Sequence, residues 1–261
     1  MQENTPYSVP AIDAAAKILN FLKSHPHSQK SLAEMCRDLG IPRSSGFHIM
    51  RTLEKHSLVG FDSESKRYRL GWALIELGAR ATEQMDFVEA VRPFLRALAR
   101  ETNLNCVIAQ RRGDQIVIVD KVESKSDISV RITLGQPNPL ASGALGKALM
   151  AFQGEEDIHS YFTHHGLPAH NQYSISDLDD WMRELAKVRE IGYAKSLGEF
   201  AIGVNTVAAP IFDRSGGVNL TLAAGDLGGN LPVENLDRVG IIVRALAQKA
   251  TAALGGTWRA P

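Results

Sequence analysis

The sequence predicts an α+β chain of two domains, residues 1–82 and residues 83–261. Three observations carry that prediction. Three short helical periodicities followed by a small hairpin come first, strand-like alternation begins only at Asn105, and the later hairpins are flanked by helices without repeated β-α-β units. That order argues against a doubly wound parallel sheet and for an antiparallel-dominated one.

Composition bounds the function classes. A chain of 261 residues, 44% hydrophobic and 22% charged, is an ordinary globular protein with enough length to bury one large or two modest cores. No apolar run approaches the roughly 20 residues of a membrane helix. The start, "MQENTPYSVPAIDAAAKIL", lacks the basic segment, apolar stretch and cleavage site of a secretory leader, so a cytoplasmic location is expected. Cys36 and Cys106 stand far apart with no CxxC pairing, which suggests neither a disulfide framework nor a zinc site. The net charge is zero but uneven: residues 1–80 hold 11 Lys and Arg against 8 Asp and Glu, and the rest is acidic by the same margin. The basic end is the candidate for a polyanionic partner.

The first helix is expected to bury Ile12, Ala15, Ala16, Leu19 and Leu22 and to stop at the Pro of "SHPHS". Ser31 is a good N-cap for the second, with Glu34 completing a capping box, Leu32, Met35, Cys36 and Leu39 as its stripe, and Gly40 as its stop. A turn of about three residues leads into "GIPRSSGFHIMRTLEKHSLVGF", the connection expected of a helix-turn-helix. This third helix turns Gly46, Ile49, Met50 and Leu53 inward, leaving Ser44, Phe47, His48 and Arg51 outward with no acid among them.

That outer face suits a DNA major groove. Arg51 can reach guanine edges or phosphate, Ser44 and Ser45 beside Arg43 can donate to phosphates near the helix N-terminus, and Phe47 can contact a thymine methyl. The plain alternative is a polar helix surface that happens to include Phe. Context comes from "LVGFDSESKRYRLG", two strands at Leu58 to Phe61 and Arg67 to Leu70, with Lys66, Arg67 and Arg69 near the second. Three helices and a basic hairpin make a winged helix-turn-helix, the third helix for the major groove and the wing for backbone or minor groove.

A linker helix follows, striped by Leu74, Leu77, Gly78 and Ala81, and then a second stripe of Val88, Val91, Leu95 and Leu98. Trp72 and Ile75 lie off the main stripe, as a dimer contact or packing within the domain would each require. In the larger domain "CVIAQRRGDQIVIVDKV" reads as a hairpin, "DISVRITLG" as a third strand and "GVNTVAAPIFDRSGGVNLTLAAG" as a further hairpin. Leu145, Ala148, Leu149 and Phe152 stripe one helix, Ser176 with Asp179 caps another that stops at Gly192, and Pro232 opens the last, which runs to about Gly255.

Catalytic motifs fail on inspection. In "LASGALGKALMAF" a phosphate-binding loop would need Gly where Ala141 stands and a hydroxyl where Ala148 stands. What survives is a small-residue turn at a helix start, whose free N–H groups favour a small anion. "SESK" matches a serine-lysine pattern without its companion motifs. His159, His164, His165 and His170 lack metal-site spacing and read as a surface cluster. No catalytic residue, metal or cofactor is called for.

The motif order resembles the IclR family of bacterial transcriptional regulators. The residues that carry it are "LGIPRSSGFHIMRTLEKHSLV", "YRLG", "LGQPNPLASGALGKALMAF", "VREIGYAKSLGEFAIGVNTVAAPIFD" and "VNLTLAAG", spread over nearly the whole chain. The resemblance implies a winged helix-turn-helix, a linker helix and a GAF-like domain that binds a small-molecule effector. It also implies dimers or dimers of dimers on palindromic sites in double-stranded DNA, controlling catabolism of small organic or aromatic acids, with repression placed ahead of activation and no membrane partner.

Carried over residue by residue, it implies an effector pocket walled by Ser142, Gly143, Ala144 and Leu145. The loop around Ser196 and Glu199, the strand with Val204 and Thr206, and the strand with Ala223 and Gly225 form the other walls, and Val130 joins them. The chain departs from the family at His48, where an Arg is usual, and at Ala223 and Gly225, where members that bind small keto acids tend to carry hydroxyls. A bulkier, less polar carboxylic acid is therefore expected. The alternative reading is a metabolite-binding enzyme domain fused to a winged helix.

Overall fold

The computed structural model describes residues 8–25, 30–83, 86–128 and 130–259. The chain divides into two compact units, Met1–Gln84 and Met85–Pro261. Among the described residues no helix is long and apolar enough to cross a membrane.

In the first unit, helices α1 (Pro10–Ser24), α2 (Leu32–Leu39) and α3 (Arg43–Lys55) precede strands β1 (Val59–Asp62) and β2 (Arg67–Leu70) and helix α4 (Ala73–Glu83). Ile18, Leu22, Met35, Met50, Leu53, Val59 and Tyr68 make its core. The α1 stripe is not the expected one: Ile12 and Ala16 are exposed and Ile18 is buried beside Leu22. A 3.6-residue repeat in this apolar stretch fits two overlapping stripes, and packing on α3 selects the one through Ile18. The expected stop at Pro26 lies outside the described residues.

The α2 signals act as read. Ser31 Oγ accepts from Glu34 N–H at 3.3 Å, Glu34 Oε2 accepts from Ser31 N–H at 2.8 Å, and Gly40 ends the helix at φ +64°. The wing is an antiparallel pair one residue offset from expectation, with Asp62 opposite Arg67. Asp62 ties its turn by accepting from Glu64 N–H and Ser65 Oγ–H. In α4, Ile75, Leu77 and Gly78 are exposed, with Trp72 just before them at 71%, so the expected stripe buries little within the first unit. Ala81 lies outside the residues whose side chains are described.

The second unit is a six-stranded antiparallel sheet in the order β5-β4-β3-β8-β7-β6. Its strands are β3 (Asn105–Arg112), β4 (Gln115–Val122), β5 (Pro137–Pro139), β6 (Ala194–Leu197), β7 (Val204–Phe212) and β8 (Val218–Leu227). Helices α5 (Asp86–Thr102) and α9 (Leu236–Ala253) cover one face, burying Val91, Leu95, Leu98, Val239 and Val243 against Cys106, Ile108, Val207 and Leu222. Helices α6 (Gly143–Met150), α7 (Glu155–His165) and α8 (Leu178–Ile191) cover the other, around Leu149, Phe162, Trp181, Leu185, Val107 and Ala223. Strand alternation divides each strand between the two cores.

Four local expectations are corrected. The described residues of "DISVRITLG" form no strand: Pro137–Pro139 pairs with β4 at residues 115–117, and Val130, Arg131, Ile132 and Thr133 line a cavity consecutively. Ser196 sits on strand β6, paired with Thr206, not in a loop. Asp177, not Ser176, caps α8, accepting from Asp180 N–H at 3.0 Å; the overlapping patterns S-x-x-D and D-x-x-D hide which one serves. After Pro232 comes a single 3-10 turn, Val233–Asn235, and the helix proper starts at Leu236.

Candidate functional site

The first candidate surface is the outer face of α3. Arg43, Ser44, Ser45, Phe47, His48 and Arg51 are all exposed there, Phe47 at 50%, while Gly46, Met50 and Leu53 turn into the core. Pro42 at the N-cap supplies no side-chain acceptor and the first turn has no acid, so the leading N–H groups face outward uncapped. The face is less purely basic than expected. Glu54, three residues on, accepts from Arg51 Nη1 at 3.1 Å. Lys66, Arg67 and Arg69 are exposed on the wing, with Lys66 at φ +56° on its turn.

The second candidate is a cavity of about 310 Å³ between the sheet and the start of α6. Val130, Ser142, Gly143, Ala144, Leu145, Ser196, Val204, Thr206, Ala223 and Gly225 line it together, although they come from five separate stretches of sequence. Ser142 is the N-cap of α6 by position, yet its hydroxyl donates to Pro139 carbonyl O at 2.6 Å instead of capping. The first N–H groups of α6 are therefore left without a side-chain acceptor. Gly143 holds φ +53°, and a Cβ there would meet Ser196 Oγ at 2.9 Å, so the helix start rests on β6.

Glu199 is the exception. It does not line the cavity; Lys147 Nζ donates to its Oε1 at 2.8 Å. Its backbone carbonyl accepts from Ser174 Oγ–H at 2.9 Å and from Asn171 Nδ2 at 3.3 Å. Glu199 thus fixes the loop that brings Phe200 and Ala201 to the cavity wall. Burial pushes its carboxyl above the usual range, with the Lys147 ammonium pulling the other way. Lys147 is fully buried and also reaches Glu184 Oε2 at 3.3 Å. Glu184 is pushed up by burial too, but Lys187 and Lys147 together outweigh that and leave it lowered.

Sequence reasoning missed Asn105, Arg131 and Phe200 at the cavity, and Lys147 behind it. The first three carry no motif. Lys147 was legible only as part of a failed phosphate loop. The histidines are taken up locally: His164 donates from Nδ1 to Ser160 carbonyl O at 2.7 Å, His165 stacks on Tyr161, and His170 lies edge-on to Phe200. Among the described residues no three His, Cys, Asp or Glu gather as a metal site would require.

Comparison with known proteins places both units. The model described as IclR helix-turn-helix domain matches residues 11–63, and that described as bacterial transcriptional regulator IclR C-terminal matches residues 79–252. The HTH-type transcriptional repressor AllR of Escherichia coli strain K12 is 26% identical over 245 residues, 94% of this chain and 90% of that protein. The crystal structure of an IclR transcriptional regulator from Alicyclobacillus acidocaldarius superimposes with a TM-score of 0.86 at 31% identity, covering 95% of this chain and 100% of that one. An IclR homologue from Microbacterium hydrocarbonoxydans, solved with 4-hydroxybenzoate, shares the fold at a TM-score of 0.81 and 17% identity, covering 94% and 99%. With both of its domain models matched in order along one chain, the protein belongs to the IclR family of bacterial transcriptional regulators and is a DNA-binding regulator.

Proposed function

We propose that the protein represses a catabolic operon by placing α3 in the major groove of a palindromic site, and that a small organic acid in the cavity controls that binding. The observation that carries the reading is the cavity itself. Its walls are mostly apolar, and it includes the uncapped N-terminus of α6, where backbone N–H groups favour a carboxylate by up to about 2 kcal/mol. At about 310 Å³ it suits a small acid, and the aromatic ligand of the Microbacterium relative is of that size class. Arg131 at the wall adds a cation on the same side of the charge balance.

On the DNA side, the uncapped start of α3 and Arg43, Ser44 and Ser45 take phosphates, while Phe47, His48 and Arg51 face base edges; Lys66, Arg67 and Arg69 track the backbone from the wing. The exposed Trp72, Ile75 and Leu77 fit pairing with a second copy, as a palindromic site requires. The pocket is tested by Ala223→Phe, which fills the cavity from the sheet side. The variant should bind operator DNA like wild type and lose all response to the effector. An unaltered response would place the effector elsewhere.

A further inference from the structure

One rung of the sheet facing the cavity differs from its neighbour. Asn105 pairs with Gly225, Gly225 with Thr206 and Thr206 with Ser196, giving three polar side chains on β3, β7 and β6 with a glycine between them on β8. The next rung, Val107, Ala223, Ala208 and Ala194, is apolar throughout. At its Ser196 end the polar row meets the α6 N-terminus, through the contact with Gly143. At its other end stands Asn105, 1% exposed and part of the cavity wall.

The orientation of the Asn105 amide is settled by its partner. Ser124 N–H can only donate, and it donates to Oδ1 at 3.0 Å. The amide nitrogen therefore points the other way, and among the described residues it has no hydrogen-bond partner. A buried amide N–H left unpaired costs as much as a lost hydrogen bond, so such groups are rare unless something outside the chain satisfies them. Nδ2 is a donor only; an apolar atom or a second donor would leave it unpaired.

We propose that Asn105 is the specificity-determining residue of the cavity, its Nδ2 donating to an acceptor oxygen on the effector. This deepens the effector reading above and rests on it. Three strand spacings separate Asn105 from Ser196, roughly 14 Å between backbones. A lone carboxylate at the helix start cannot also reach the far end. The effector is accordingly a two-ended molecule, a carboxylic acid carrying a hydroxyl, carbonyl or second carboxyl oxygen across a short carbon frame.

The test uses matched acids on the full-length protein, benzoate against 4-hydroxybenzoate and pentanoate against 4-oxopentanoate, with binding measured by calorimetry. In wild type the oxygenated member of at least one pair should bind about tenfold tighter or more. In Asn105→Leu that ratio should fall to about one, with the parent acid still bound. Asn105→Asp keeps the acceptor for Ser124 and removes the donor, so it should lose the ratio too; thermal unfolding without ligand checks that each variant is folded. A ratio kept in either folded variant overturns the inference, and so does a wild type that binds none of the four acids. Should Ala223→Phe abolish binding while the Asn105 variants change nothing, the cavity reading stands and this inference falls; should Ala223→Phe leave binding untouched, the cavity reading itself falls.

Discussion

Lys147 Nζ lies 2.8 Å from Glu199 Oε1, and no part of the Lys147 residue reaches solvent. The pair joins α6, whose first turn lines the cavity, to the loop that carries Phe200 and Ala201. A buried charge survives only with such partners, because removing it from water costs several kcal/mol.

Breaking the pair should therefore be expensive. Lys147→Ala is expected to destabilise the second unit by about 3–5 kcal/mol. Lys147→Met should cost less at low pH, because the Glu199 carboxyl, already raised by burial, can take a proton. A carboxyl whose folded pKa exceeds its unfolded value stabilises the native state when protonated, and that share is lost as pH rises from the ordinary 4.5 through the folded value. Urea melts of Lys147→Met at pH 5 and pH 8 should show the larger deficit at pH 8; equal deficits would mean Glu199 is not left buried and unpaired.

Arg51 is exposed and Glu54 half-buried, and their ion pair contributes at most about 1 kcal/mol to stability. In the proposed DNA contact Glu54 would have to release Arg51 for the guanidinium to turn to a guanine or phosphate. Arg51→Ala is expected to weaken operator binding by about 1–3 kcal/mol if the contact is a guanine edge. Glu54→Gln should strengthen binding on all sequences while lowering stability by no more than the about 1 kcal/mol of the pair. Fluorescence anisotropy across a salt series checks both, and wild-type affinity in Arg51→Ala would remove that residue from the interface.

The α2 capping box should be worth about 1 kcal/mol, read as the loss in Ser31→Ala. Hydrogen exchange of the α2 amides locates it. The Ser31 N–H and hydroxyl hold the Glu34 carboxyl below its ordinary value. A lowered folded pKa contributes stability above the ordinary 4.5 that drains away as pH falls below it. Glu34→Gln should accordingly flatten the acid side of the stability profile of the first unit, and an unchanged acid limb would argue against the reciprocal bond.

Both cysteines are buried, and burial pushes the Cys106 thiol up to about 12 and raises that of Cys36. Neither should react with a thiol reagent in the native protein at pH 8, and both should react after denaturation. Rapid labelling of either one in the native state would show that its cover opens.

Much of the local structure was legible because its causes are local. Ser31, Glu34 and Gly40 bound α2 through bonds within a few residues, and the hairpin around "RRGD" follows from alternation on either side of a turn. The inward and outward faces of α3 follow from one helical period. Where two local patterns compete, as with Ser176 and Asp177 or the two stripes of α1, the periodicity does not decide between them, and in α1 packing made the choice.

The sequence by itself determined the two-part organisation, the winged helix-turn-helix, the antiparallel character of the larger sheet and, by resemblance, most of the cavity residues. It could not show that residues 130–133 line a cavity wall while Pro137–Pro139, not this segment, takes the β4 ladder at residues 115–117. Nor could it move Glu199 from the effector to Lys147, or pick out Asn105. Those roles depend on partners 52 and 19 residues away, brought within bonding distance only by the fold, where burial turns an ordinary amide or ammonium into a group that must be satisfied.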